Sequence, residues 1–251
     1  MKVEVEDLDI RYGRQIAVDG VSLAAMPGEI LGVLGPNGSG KSSLMKAIAG
    51  VLPHHGTVRF DGVAERPSVI GYMPQDHHSR AALTVLETVL LGRLGRLGLR
   101  VSDEDIASAE RVLNEIGIAH LAMRDLGALS GGQRQLVFLA QALASAPRVL
   151  LLDEPFSALD IRHQLEVAEL LARLTRERRL TTILVLHDLP MAARLADRIA
   201  LLQNGRLMAM GESADILGSS AMRDVFQVEF MTERLEGDRI EIRSMQLIAS
   251  E

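Results

Sequence analysis

A glycine-rich loop set between a strand and a helix is the feature that most constrains this chain. The loop fits the pattern Gly, four residues, Gly-Lys-Ser. It reads Gly35, Pro36, Asn37, Gly38, Ser39, Gly40, Lys41, Ser42 and Ser43. Residues 29–34 predict a buried strand, and residues 44–49 are mostly good helix formers. A strand, a glycine loop and a helix in this order predict a phosphate-binding loop.

The chemistry of this loop suits a polyphosphate. Its glycines lack a Cβ, so the backbone can approach a ligand closely and turn its N–H groups toward an anion. The positive end of the following helix adds to this attraction. Lys41 brings a full charge to the outer phosphates, Ser42 offers a hydroxyl to Mg²⁺, and Ser43 is a further donor. The alternative, for the pattern alone, is a glycine-rich turn with a solvated lysine.

The composition excludes several other classes of protein. The chain has 251 residues, 47% of them hydrophobic, which supports one large domain or one domain with a subdomain. A net charge of −6 and an aromatic content of 3% argue against a nucleic-acid surface. The absence of cysteine excludes disulfides and zinc–thiolate sites. Without a long uncharged apolar run, the chain is not expected to span a membrane by itself, and its alternating N-terminus predicts a strand rather than a signal peptide.

Two carboxylates follow a second apolar strand. Residues 149–152 are Val-Leu-Leu-Leu, and they lead directly into Asp153 and Glu154. Ligands of open α/β sheets bind at the carboxyl ends of the strands, and four apolar residues followed by Asp match the Walker B pattern, whose Asp holds Mg²⁺. Because side chains alternate along a strand, Asp153 is predicted to contact the metal ion and Glu154 to contact a water molecule. The alternative, surface acids after a strand, does not explain why the strand is wholly apolar.

A second candidate anion site opens a helix that is predicted to run to about residue 145. It consists of Leu129 followed by Ser130, Gly131, Gly132 and Gln133. Paired glycines at a helix start leave the first-turn N–H groups accessible, and Ser130 adds a hydroxyl. The alternative is an ordinary loop and N-cap. A second phosphate-type helix start in a chain that already has one favours the functional interpretation.

Three isolated side chains are weaker candidates. Tyr12 lies between two predicted strands, residues 3–10 and 16–25, and is suited to stacking on adenine, although a half-buried structural tyrosine at a strand end is the more common role. Gln75 follows Pro74 at a strand end, where its amide can reach a metal ion or a water, and the alternative is solvent exposure. His187 ends another predicted strand at the same edge as Asp153, so its ring can reach a γ-phosphate.

Helical patterns occupy the segment between residues 83 and 129. Ser102 and Asp105 predict a capping box, and apolar residues follow it at helical spacing. This predicts a helical insertion between two parts that are rich in strands. Arg93, Arg96 and Arg100 precede it, and they either contact a partner or face water, which is the more common outcome.

Together, these motifs resemble the nucleotide-binding subunit of an ABC transporter over almost the whole chain. They occur in that family's order: A-loop Tyr12, Walker A residues 35–42, Q-loop Gln75, signature residues 129–133, Walker B residues 149–153, Glu154, D-loop residues 157–160 and H-loop His187. Each motif alone is weak or moderate. The complete series in one order leaves little room for chance.

The resemblance implies a set of contacts with ATP and Mg²⁺. Tyr12 stacks on the adenine, and the loop from Gly35 to Ser43 holds the phosphates. Ser42 and Asp153 bind the magnesium ion. Gln75 senses both the metal and the attacking water.

The resemblance also implies the chemistry and the partners. Glu154 is the general base, and His187 contacts the γ-phosphate. Ser130 and Gly132, within the signature, complete the site of a second copy, so two chains close head to tail around two ATP molecules. Further partners are transmembrane permease subunits and, indirectly, a substrate-binding protein, with no nucleic acid. The chain would then lie at the cytoplasmic face of the membrane, held there by the permease.

The implied fold is α/β: a P-loop NTPase core with a mostly parallel sheet, an N-terminal antiparallel β subdomain and an α-helical insertion subdomain. Residues 1–251 form one ATP-binding domain in this interpretation. The core and the antiparallel part take residues 1–75 and 147–251, and the helical subdomain with the signature helix takes residues 76–146. The permease is expected to contact the region around residues 75–100.

Finer resemblances indicate the importers of iron-siderophores, haem and cobalamin. The similarity to that group lies in residues 156–164, 187–189 and 193–197 and in the pair Gly92–Arg93. After this pair, members of the group often carry Pro and an aromatic residue, whereas this chain has Leu-Gly-Arg. The leading hypothesis is the ATPase subunit of an importer for chelated iron. One alternative is another cargo, such as zinc, manganese or an organic solute. The other alternative is a soluble ABC protein that acts on ribosomes or DNA. The negative net charge of the chain argues against it, and so does the lack of the tandem domains or the long coiled coil of such proteins.

Overall fold

The computed structural model describes residues 1–64, 70–75, 83–93, 101–234 and 240–247. The strands are β1 (Val3–Tyr12), β2 (Gln15–Ala25), β3 (Ile30–Leu34), β4 (His55–Phe60), β5 (Ile70–Met73), β6 (Val149–Asp153), β7 (Thr181–Val185), β8 (Arg198–Gln203), β9 (Arg206–Glu212), β10 (Val228–Arg234) and β11 (Ile240–Leu247). The α-helices are α1 (Lys41–Ile48), α2 (Val85–Leu91), α3 (Asp103–Ile116), α4 (Gly131–Ala144), α5 (Ile161–Glu177), α6 (Leu189–Leu195), α7 (Ser213–Leu217) and α8 (Ser220–Phe226). Within these described residues, no helix is both long and apolar enough to cross a bilayer.

The central sheet is built from short apolar strands in the order β5-β6-β7-β3-β8-β9. The pairings from β5 to β8 are parallel, and β9 runs antiparallel to β8. The strands β3, β6 and β7 are buried along their whole length, as expected for parallel strands covered on both faces. The predicted α/β fold with a mostly parallel sheet is confirmed.

Different layers cover the two faces of this sheet. The antiparallel sheet β2-β1-β4 and helix α1 cover one face, and Val149 and Leu151 pack into that layer. Helices α2 to α8 contribute to the cluster on the other face, where Leu150 and Leu152 pack. Because side chains alternate along a strand, Asp153 continues on the face of Leu151, which is the face of α1.

Helices α2, α3 and α4 lie between β5 and β6 in the chain, where the helical insertion was predicted. Each of them begins with a capping box, at Thr84, Ser102 and Ser130 respectively. The predicted capping box of Ser102 and Asp105 is therefore confirmed. These caps satisfy backbone N–H groups that the first helical turn leaves without an intrahelical partner.

Arg93 does not face water. Its side chain is only 12% exposed, and its guanidinium group donates to Asp105 Oδ1 at 2.9 and 3.1 Å, to Ser108 Oγ at 2.8 Å and to the Ala144 carbonyl at 3.1 Å. It thus joins the end of α2 to both α3 and α4, and the expected solvent exposure is wrong. The hydrogen bonds from Ser102 and Arg93 also lower the pKa of Asp105. The remaining two arginines of that group lie outside the described residues.

Gly92 provides a test of how closely α2 packs on α4. A Cβ at this position would lie 2.0 Å from the Gln141 carbonyl oxygen, so the backbone would have to move. We expect Gly92→Ala to lower the free energy of unfolding by about 1–3 kcal/mol in urea denaturation. Gly127→Ala is the matched control, because a Cβ there meets nothing within 4 Å. The control should change stability by less than about 0.5 kcal/mol, and equal losses in both variants would contradict the close packing.

Candidate active site

Four loops that carry predicted site residues meet at the carboxyl edge of the central sheet. The phosphate-binding loop follows β3, Gln75 follows β5, Glu154 follows β6, and His187 follows β7. These strands are neighbours in the order β5-β6-β7-β3. The sheet therefore gathers residues that are far apart in the sequence.

The backbone of the phosphate-binding loop depends on glycine at two positions. Gly35 has φ +148° and Gly40 has φ +99°, which L-residues with side chains rarely adopt. A Cβ on Gly35 would lie 2.0 Å from the Leu202 carbonyl oxygen, and one on Gly40 would lie 2.2 Å from the Ala17 carbonyl oxygen. The loop therefore fits tightly against β2 and β8. Within it, Asn37 and Gly38 are exposed, whereas Ser39 is buried.

Lys41 is buried at the start of α1 and points back into the loop. Its Nζ donates to the carbonyl oxygens of Gly35 and Pro36, both at 2.8 Å. Burial lowers the pKa of Lys41, while the charges of Glu154 and Asp153 act in the opposite direction. The ammonium group is thus held at the centre of the loop, where the sequence predicts the outer phosphates.

Asp153 has the properties of a metal ligand. Its side chain is buried, and neither carboxylate oxygen has a hydrogen-bond partner among the described residues. Burial raises the pKa of Asp153, and the nearby hydroxyl of Ser42 opposes this without reaching hydrogen-bond geometry. A buried carboxylate without a partner is unfavourable unless a cation satisfies it. Mg²⁺ takes oxygen ligands and is usually bound by one or two carboxylates together with phosphates, so Asp153 and Ser42 fit this ion.

The carboxylate of Glu154 is the point where the predicted catalytic residues meet. Its Oε1 accepts a hydrogen bond from Gln75 Nε2 at 2.7 Å and is also in hydrogen-bond contact with His187 Nε2. The cause lies in the strand order, because β6 lies between β5 and β7. Glu154 itself adopts φ +55°, in the left-handed region that residues other than glycine rarely occupy.

The sequence pattern did not identify Gln135, which contacts this site from α4. It is buried, its Nε2 donates to the Glu154 carbonyl at 2.7 Å, and its Oε1 accepts from the Ala158 N–H at 2.8 Å. The available signal was a glutamine that opens an otherwise apolar run in the helix. Spacing alone could not show which backbone groups it meets.

Tyr12 lies beside the phosphate-binding loop. Its hydroxyl is 3.4 Å from Ser43 Oγ, and 48% of the residue's surface is exposed. The ring is therefore accessible next to a residue that was predicted to hold phosphate. Its stacking on adenine stays a prediction.

The signature residues line a separate cavity. Ser130 Oγ accepts from the Gln133 N–H at 3.2 Å, and the Ser130 N–H donates to Gln133 Oε1 at 3.1 Å, which is the capping box of α4. A Cβ on Gly132 would lie 3.0 Å from the Ala158 carbonyl oxygen, so α4 packs closely on the loop after β6. The cavity is lined by residues 130–133, 136, 158–160 and 163. Among the described residues, none from the phosphate-binding loop lines it.

The residues at this edge of the sheet suit the hydrolysis of a nucleoside triphosphate. The class of protein that they define is a P-loop ATPase. The family model described as "ABC transporter" matches residues 18–157. The chain belongs to the ABC transporter family.

Curated relatives cover nearly the whole chain. The "Hemin import ATP-binding protein HmuV" of Pseudomonas fluorescens is 41% identical over 244 residues, which cover 92% of this chain and 94% of the relative. The "Iron(3+)-hydroxamate import ATP-binding protein FhuC" of Bacillus subtilis is 36% identical over 237 residues, which cover 90% of this chain and 88% of the relative.

Solved structures agree with the fold and the family. A metal-chelate type ABC transporter in an inward-facing conformation has a TM-score of 0.82 and 30% identity, and the match covers 96% of this chain and 97% of the solved chain. A bacterial ABC transporter cassette solved as a dimer has a TM-score of 0.77 and 28% identity, and the match covers 84% of this chain and 98% of the solved chain. The predicted resemblance to ABC transporter subunits is confirmed.

Asp153 provides a test of the metal site that does not depend on activity. We expect Asp153→Asn to raise the melting temperature without nucleotide, because the amide removes a buried charge at nearly constant shape. ATP with Mg²⁺ should then stabilise the wild type more than the variant. Differential scanning fluorimetry measures both effects, and Asp224→Asn, an exposed carboxylate on α8, is the control. A variant that melts below the wild type without nucleotide would contradict the unsatisfied carboxylate.

Proposed function

We propose that this chain is the ATP-hydrolysing subunit of an importer for a metal chelate, with ferric siderophores and hemin as the leading cargoes. The observation that carries the proposal is the meeting of Gln75 and His187 on the carboxylate of Glu154. The names of the relatives, which are import ATP-binding proteins for hemin and for ferric hydroxamates, support the direction of transport and the class of cargo.

In the proposed binding step, the β- and γ-phosphates of ATP occupy the loop from Gly35 to Ser43. Lys41 exchanges its two loop carbonyls for phosphate oxygens, which places its charge where negative charge develops. Ser42 and Asp153 hold Mg²⁺, which neutralises charge on the transferring phosphoryl group when it is bound. Tyr12 offers its ring to the adenine.

In the proposed chemical step, Glu154 accepts a proton from the attacking water. Its contacts with Gln75 and His187 both fall on Oε1, so we propose Oε2 as the atom that accepts the proton. The water oxygen bonds to the γ-phosphorus while the bond to the bridging oxygen of ADP breaks. Little covalent chemistry falls to the protein, so the rate depends on placement and charge neutralisation.

Removal of the proposed base tests this step. We expect Glu154→Gln to lower kcat by about 10²–10⁴-fold, because the amide cannot accept the proton. ATP binding should remain, and the uncleaved nucleotide should accumulate in a dimer that light scattering detects. Glu166→Gln, in an exposed ion pair with Arg162 on α5, is the control and should retain activity. Rapid turnover in Glu154→Gln would remove this residue as the base.

We infer that the signature acts on a second copy of the chain. Its cavity is lined by its own α4, the loop before α5 and the start of α5, and residues 35–43 of the same chain do not line it. A cassette of this family has been solved as a dimer, which supports the pairing. In the proposed division, residues 1–75 and 147–251 bind the nucleotide, and residues 76–146 present the signature to the partner.

Ser130 allows this pairing to be tested without loss of the helix cap. Asp and Asn cap helices about as well as Ser, but only Asp adds a negative charge opposite the partner's triphosphate. We expect Ser130→Asp to abolish ATP-driven dimerisation of the Glu154→Gln protein and to leave ATP binding by single chains unchanged. Ser130→Asn is the matched control and should dimerise. Loss of ATP binding in the Ser130→Asp monomer would show that the signature serves its own chain.

The proposed permease contact is the region around residues 75–100. The structure describes Gln75 and residues 83–93 of it, and residues 76–82 and 94–100, including the Leu-Gly-Arg departure, lie outside the described residues. Through this contact the chain is placed at the cytoplasmic face of the membrane, with a substrate-binding protein acting on the permease from the other side.

Growth on defined iron sources tests the cargo. We expect a deletion strain to fail on hemin or on a ferric siderophore as sole iron source and to grow on an iron salt. The wild-type gene should restore growth, and the Glu154→Gln gene should not, because transport requires turnover. Failure on zinc- or manganese-limited medium alone would move the proposal to those metals. Normal growth on every medium would favour a soluble ABC protein that is not involved in transport.

A further inference from the structure

One buried side chain on α4 reaches two backbone groups of the loop after β6. The amide of Gln135 donates to the Glu154 carbonyl at 2.7 Å and accepts from the Ala158 N–H at 2.8 Å. The residue is only 7% exposed. The nitrogen and the oxygen of the amide are therefore both hydrogen-bonded away from solvent. Because a buried amide needs a partner for each of these atoms, the two bonds fix the orientation of the side chain.

The backbone that Gln135 holds is a strained one. Glu154 has φ +55°, and a residue with a side chain keeps this conformation only where its surroundings hold it. The same carbonyl also accepts from Ser157 Oγ at 3.2 Å. Because the side chain leaves from the same residue, the anchor on the carbonyl also sets the direction of the carboxylate.

A second glutamine holds the same loop through hydrogen bonds to residues other than Glu154. Gln164, on α5, donates from Nε2 to the carbonyl oxygens of Phe156 at 3.2 Å and Leu159 at 3.1 Å. The loop is therefore held from two helices by the same type of side chain. Of these two glutamines, Gln135 is the one bonded to the residue whose carboxylate meets Gln75 and His187.

We propose that Gln135 is a positioning residue for hydrolysis, which orients Glu154 of its own chain through the backbone. The helix that carries it starts with signature residues 130–133. This inference rests on the proposed function, in which those residues cap the partner's ATP. Gln135 then links the helix that serves one ATP to the carboxylate that serves the other.

A pair of variants separates positioning from loop stability. Gln135→Met keeps the length of the side chain and removes its three hydrogen bonds, to the Glu154 carbonyl, the Ala158 N–H and Ser157 Oγ. Gln164→Met keeps the length of the side chain and removes both hydrogen bonds of the second anchor. We expect Gln135→Met to lower kcat on the order of 10- to 100-fold while KM for ATP stays within about threefold. Gln164→Met should keep kcat within about threefold. Equal losses in the two variants, a kcat of Gln135→Met near wild type, or a matching rise in KM would overturn the proposal.

Mixed dimers of two differently tagged chains decide in which chain Gln135 acts. In the first, one chain carries Gln135→Met and the other Glu154→Gln, so the intact Glu154 lies beside the altered residue 135. In the second, both changes lie in one chain, so the intact Glu154 keeps its own Gln135 and meets an altered signature helix. We expect low hydrolysis in the first and normal single-site hydrolysis in the second. Low activity in the second, or equal activity in both, would overturn the proposal. An active Glu154→Gln homodimer would instead refute the proposed function itself.

Discussion

The parallel pairing of β5, β6, β7 and β3 is the constraint on which the rest of the structure depends. Strands β3, β6 and β7 are buried along their length, and the residues that lead to the carboxyl end of each strand are apolar, so the polar site residues lie where the strands end. Parallel strands end at the same edge, and this edge receives the phosphate-binding loop, Asp153, Glu154, Gln75 and His187. The position of β6 between β5 and β7 explains why Glu154, rather than another residue, accepts contacts from both neighbours.

The site concentrates groups that are unfavourable for folding. Asp153 is buried without a hydrogen-bond partner among the described residues, and Lys41 is a buried ammonium group held by two loop carbonyls. Glu154 holds a left-handed backbone conformation. An unsatisfied buried polar group costs about 1–3 kcal/mol, which the apolar clusters on both faces of the sheet must offset. In the proposed function, these groups are held in place before the nucleotide and its metal ion bind, which is the preorganisation that electrostatic catalysis of phosphoryl transfer requires.

Helix α4 connects the parts of this site. At its start, the capping box of Ser130 presents the signature residues, and Gly132 allows close contact with the loop after β6. One turn later, Gln135 bonds to the backbone of Glu154. Towards its end, close backbone contacts at Gly71 and Gly92 pack it on β5 and α2, since a Cβ at either glycine would lie within 2.3 Å of an α4 carbonyl oxygen. The helix therefore touches the strand before Gln75, the loop after β6 and helix α2.

The sequence by itself determined the features that depend on local spacing. These are the strand, glycine loop and helix around residues 35–43, the two acids at the carboxyl end of β6, and the capping box at Ser102. It also carried enough ordered motifs to reveal the family. Only the tertiary structure decided that β6 lies between β5 and β7, that Arg93 is partly buried against α3 and α4, and that Gln135 holds Glu154. The physical reason is that caps and glycine turns are set by neighbouring residues, whereas strand order and buried polar pairing depend on contacts between segments that are distant in the chain.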